Sequence, residues 1–149
     1  MWSDALPEPS AVEARAYLGF LYASEGQVER GRQLMASTIE TADKLGHVSL
    51  AARCRLFLAS IEISRGRLNE ANELLNSIPE DTGERTLSPE LRAEVHASRG
   101  RLQAARGDVD AATWSVDAAR VTIRKLAERL PENYRASFTA REAIKKFER

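Results

Sequence analysis

Apolar residues recur along this chain at helical spacing, in short runs that each close on a lone glycine. Leu18, Leu21 and Tyr22 lead to Gly26, and Leu58, Ile61 and Ile63 lead to Gly66. Steps of three and four residues put such side chains on one face of an α-helix. A glycine at the end of the run can take the left-handed conformation that closes a helix at low cost. Local start and stop signals mark the remaining ends. Ser10-Ala-Val-Glu13 reads as a capping box after the extended Leu6-Pro-Glu-Pro9 tail, and Gly46 with His47 ends the second helix. Ser88 precedes Pro89 as cap and first helical residue, Asp108 is a good cap for the next helix, and Pro131 breaks the one that follows. The pattern predicts helices near 10–25, 28–45, 49–65, 68–78, 89–106, 109–130 and 132–147, with one loop between Pro79 and Leu87.

The runs repeat. Segments beginning at Gly19, Ala59 and Gly100 superpose: a small residue, a glycine seven positions on (Gly26, Gly66, Gly107), an aliphatic residue two further, and a small residue at five (Gly31, Ala71, Ala112). The turn glycines are spaced by 40 and 41 residues, a self-similarity that marks a repeat architecture. Small residues at both sites of each unit let its two helices approach closely. A helix pair leaves one face it cannot cover alone, so it must stack on a neighbour. The units run over about 10–46, 49–87 and 88–130, between a tail at 1–9 and a final helical segment at 131–149.

Composition agrees with a folded helical domain. The 149 residues are 43% hydrophobic and 30% charged, with 5 Pro and 8 Gly, which disfavours long loops. No stretch approaches the ~20 apolar residues of a membrane span, and Met1–Pro9 lacks a secretory pattern. One cysteine, Cys54, rules out an internal disulfide, and the cytoplasm is the expected compartment. Net charge is zero, yet residues 120–149 hold nine basic against four acidic side chains. Without a basic run interleaved with aromatics, this end reads as solvated helix faces, and no nucleic-acid contact is expected.

The repeat resembles the tetratricopeptide family. That family's Leu-Gly pair followed by Tyr is seen as Leu18-Gly19 and Tyr22. Its turn glycine matches Gly26, Gly66 and Gly107, and its second-helix alanine matches Ala71 and Ala112, with Gly31 in the first unit. The likeness covers about residues 11–130. Arg15, Arg55 and His96 stand at the family's early tryptophan, and the period exceeds ~34 residues, as in variants with longer second helices. Leu130–Arg141 is similar to the terminal segment of repeat regions in large bacterial signalling and regulatory proteins. The resemblance implies an all-α, right-handed α-solenoid of three helix pairs with a C-terminal capping helix. It also implies a concave groove, lined by the first helix of each pair, that binds a peptide or helix of a partner.

Aligning the units places Glu13, Tyr17 and Phe20, then Arg53, Phe57 and Ser60, then Glu94, Ser98 and Arg101 on that face. The Lys, Asn and Arg set with which some relatives grip a C-terminal carboxylate is missing. The groove reads as Tyr17, Phe20, Arg53, Phe57 and Arg101, suited to an amphipathic helix with acidic flanks. Aromatics at helical spacing are more often core between stacked helices than a ligand platform, and the sequence leaves open which these are. Tyr134, Phe138, Ile144 and Phe147 are expected to cap the end of the stack, and Trp114 to be packed. Catalysis finds no support: His47 and His96 lack partners at metal-ligand spacing, Cys54 reads as a small buried hydrophobe, and no phosphate-cradling loop exists. No cofactor or metal is expected. The leading function is protein–protein interaction within a larger bacterial regulatory protein; a sensor of a small signalling peptide or metabolite and a self-associating scaffold are the alternatives.

Overall fold

A computed structural model describes residues 9–79 and 87–140, with side chains for 10–79 and 87–137. The described residues form seven α-helices and no strand. These are α1 (Pro9–Ser24), α2 (Val28–Lys44), α3 (Val48–Ser64), α4 (Leu68–Asn76), α5 (Pro89–Ala105), α6 (Val109–Glu128) and α7 (Glu132–Ala140). The expected tail, the loop after Pro79 and the C-terminal aromatics Phe138, Ile144 and Phe147 lie outside the described residues or side chains.

Local chemistry explains the helix ends. Gly26 has φ +89°, and Gln27 after it donates its N–H to the Tyr22 carbonyl. The same closure recurs at His47→Ala42, Arg67→Glu62 and Asp108→Gln103, each after a left-handed glycine. Asp108 accepts from Ala111 N at 3.1 Å, and Ser88 accepts from Leu91 N at 3.2 Å with Pro89 at the first helical position. One cap differs from expectation: α1 begins at Pro9, so Ser10 lies inside the helix. Proline's fixed φ and missing N–H favour that first position.

Three-residue turns force α1 against α2, α3 against α4 and α5 against α6. Further contacts link α2 to α3, α4 to α5, α1 to α3 and α3 to α5, so the odd-numbered helices lie side by side. Apolar side chains fill the seams. Val12, Ala16, Ala42, Leu50, Ala51 and Cys54 pack together between the first pair and α3. A second cluster centred on Leu75, Ile78, Leu91 and Leu102 joins α3 and α4 to α5. Gly19 and Gly31 mark the closest crossing, as the spacing of small residues predicts. No helix among the described residues is long and apolar enough to cross a membrane.

The last helix touches the end of α6, where Arg135 donates to the carbonyls of Leu130 and Glu128 at 3.0 Å. Its described side chains, 132–137, are exposed, Tyr134 among them. Trp114 also departs from expectation. It is 70% exposed rather than packed, because it takes the place of Gln33 and Glu73 on the outer face of each second helix. Its ring still meets the edge of His96, 6.4 Å between centroids.

Candidate functional site

The five residues assigned from sequence lie on α1, α3 and α5, the helices that run side by side. Tyr17 is 67% exposed. Phe20 and Phe57 are half-buried, and their rings meet edge-on across the α1–α3 seam, 4.7 Å between centroids at 69°. That geometry is favourable for aromatic pairs, and Phe20 also rests on the apolar cluster beneath. The two phenylalanines are therefore part core and part surface. Arg53 is exposed one turn before Phe57. Arg101 is exposed on α5, where its guanidinium donates to Ser98 Oγ at 3.0 Å. Of the flanking positions, Glu13 and Ser60 are exposed, Glu94 is half-buried and Ser98 is buried. The structure thus joins Phe20 to Phe57 and sets Tyr17 and Arg53 around them, while Arg101 stands one helix further along.

A second feature escaped sequence reasoning. Arg92, His96 and Arg99 follow one another at one-turn spacing on α5 and line a cavity of about 290 Å³ beside Ile78 and Leu87. Arg92 and His96 also border a cavity of about 320 Å³ with Lys125 of α6 and Arg129, which caps its end. The cause is the length of α4, nine residues against seventeen in α2. Where α2 covers Ala51 and Leu58 of α3, the shorter α4 leaves the equivalent places on α5 to Arg92 and Arg99. The change from apolar to basic at those places is the signal that the repeat alignment contained.

Burial, with the charges of Arg99 and Arg92, holds the His96 imidazole below its ordinary 6.5. Lys125 of α6 and Arg129 at its C-terminal end line the cavity beside it with the same sign. Folding therefore favours the neutral ring, and the unfolded chain binds the proton more readily. Stability is expected to fall as pH drops through 6.5 toward the folded-state value. Thermal midpoints across about pH 7.5 to 5.5 should decline less in His96→Gln than in the parent chain. Equal declines would show that His96 does not carry the effect.

No family model, curated protein or solved structure matches the chain. The remaining chemistry is consequently read from its own side chains. Among the described residues, no group of three or more His, Cys, Asp or Glu side chains could hold a metal ion. Cys54 is fully buried, and burial pushes its thiol up to about 11 against the lowering charge of Arg55. At neutral pH it is a thiol among aliphatic neighbours.

Among the described residues the most buried charge is Glu62 on α3, 2% exposed. Arg32 Nε of α2 lies 2.7 Å from one carboxylate oxygen and Arg67 Nη1 lies 3.9 Å from the other. Arg32 also reaches Glu29 at 2.9 Å, so it ties α2 to α3 from the outside inward.

Proposed function

We propose that the chain is a protein–protein interaction module, a short tetratricopeptide-type solenoid whose α1–α3–α5 face takes an amphipathic peptide or helix with acidic residues. The observation that carries the reading is the exposed Tyr17 beside the Phe20–Phe57 edge pair with Arg53 at its margin. Tyrosine and arginine around a partly desolvated aromatic patch are the residue types in which binding energy concentrates. The side-by-side odd helices and the 40-residue period support a stacked array. A second reading, a sensor of a small anionic ligand, draws on the cavities along Arg92, His96 and Arg99.

Selection of a displayed random-peptide library on the folded chain separates the two. The expected result is a family of amphipathic, acidic peptides. These should bind the Tyr17→Ala/Arg53→Ala variant at least about tenfold more weakly, with helical circular dichroism unchanged. Peptides that bind parent and variant equally would remove the face assignment. Failure to enrich any sequence, together with a thermal shift on adding a small dicarboxylate, would favour the sensor.

A further inference from the structure

Residues 40 apart occupy equivalent places on α1 and α3, as their turn glycines Gly26 and Gly66 do. On α3 the row Ala51, Cys54, Leu58 is buried, Leu58 at 7% exposure. Ala51 and Cys54 pack with Val12, Ala16 and Phe20 of α1 and with Ile39, Ala42 and Leu45 at α2. Forty residues earlier stands Ala11, Ala14, Leu18, followed by Leu21. The spacing and chemistry match, but here both alanines are exposed, and Leu18 and Leu21 are 41% and 47% exposed. The outer side of α1 is thus the face by which one unit packs on the next, continued to the end of the stack without a neighbour among the described residues.

We propose that this row docks a second copy of the chain, α1 against α1, antiparallel across a two-fold axis. An axis between Ala14 and Leu18 sets Ala11 opposite Leu21 of the other copy and Ala14 opposite Leu18. Every leucine then meets an alanine, the alternation of large and small that lets facing rows interdigitate. A parallel pair would stack leucine on leucine and leave a gap between alanines. Charge permits the contact, since the described side chains of α1 hold one acid, Glu13, and one base, Arg15.

The other end of the stack does not offer a better mate. There the places of Phe20 and Ile39 are taken by Arg101, which is exposed, and Arg120, which pairs with Asp117 at 3.2 Å. Head-to-tail stacking would press Leu18 and Leu21 onto a surface carrying arginines. The isologous pair avoids that and closes on itself. With one helix from each partner the contact is small, so the dimer is a weak one that forms and dissociates readily. This proposal is independent of the peptide-binding face.

Sedimentation equilibrium of the full chain, up to about 1 mM, tests it. A reversible dimer is expected, and Leu18→Glu should shift its dissociation at least about tenfold toward monomer. Leu18 is exposed enough that this variant keeps its helical circular dichroism. Under mild oxidation, an Ala14→Cys chain mixed with a Leu18→Cys chain should give mainly the mixed disulfide. A monomer at every concentration, a dimer indifferent to Leu18→Glu, or cross-linking of Leu18→Cys to Ala97→Cys in preference to Ala14→Cys would each overturn the proposal.

Discussion

Replacing Gly31 by alanine is expected to destabilise the chain by roughly 2 kcal/mol, although alanine is the better helix former by about 1 kcal/mol. A Cβ at Gly31 would stand 2.7 Å from the Gly19 carbonyl oxygen, 3.0 Å from Ala23 N and 3.1 Å from Ala23 Cβ. Two of these are backbone atoms of α1, so relief requires the whole helix to shift along the seam it shares with α2 and α3. At Gly19 the obstacle differs. A Cβ there meets Met35 Cγ at 2.9 Å, an atom near the root of a fully buried methionine that yields only by turning about its first side-chain bond. Gly19→Ala should therefore cost less than Gly31→Ala, because a side chain rather than backbone must move and the gain in helix propensity offsets part of the penalty. For a chain of this size the Gly31 variant should melt roughly 4–8 °C lower, which differential scanning calorimetry would resolve. Equal shifts in the two variants would mean that the crossing relaxes freely and that the close approach is not a constraint.

These two glycines illustrate what the chain discloses before folding. Their positions at the crossing follow from the repeat, because small residues seven places before and five places after each turn glycine recur in all three units. Their unequal tolerance does not, since it depends on whether the opposing atom is backbone or a flexible side chain. Helix ends were legible for the same reason the first fact was: a left-handed glycine, Ser88 and Asp108 act within a few residues of themselves. The basic row Arg92–His96–Arg99 was not. Those residues line a cavity on α5 beside the residues that follow the short α4, and a change from apolar to basic at repeat-equivalent places is only an indirect trace of it in the sequence. The five assigned groove residues lie on the three odd-numbered helices, but the ring contact between Phe20 and Phe57 needed the relative tilt of two helices. Trp114 was misplaced because its size suggests burial, whereas its register with Gln33 and Glu73 points outward.

Glu62 offers the other large effect. A glutamate on a helix surface is usually solvated, but this one is held at 2% exposure between α2 and α3. Its compensation is the nearby charge of Arg32 at 2.7 Å and, more weakly, of Arg67 at 3.9 Å. Arg32→Ala removes the nearer charge and leaves a buried carboxylate facing the distant one, a loss on the order of 3 kcal/mol. Glu29→Ala, which removes the other partner of Arg32 at the exposed end of the network, should have little effect. The informative variant is the double replacement Arg32→Met/Glu62→Leu, which takes away both charges while keeping comparable volume. Because the pair offers attraction only after both groups have lost their water, its apolar substitute should regain most of the loss. Urea unfolding of the single and double variants at neutral pH measures the coupling directly. If the double variant is as unstable as Arg32→Ala, an uncompensated charge is not the cause, because both charges are gone and the methionine keeps the volume of the arginine stem.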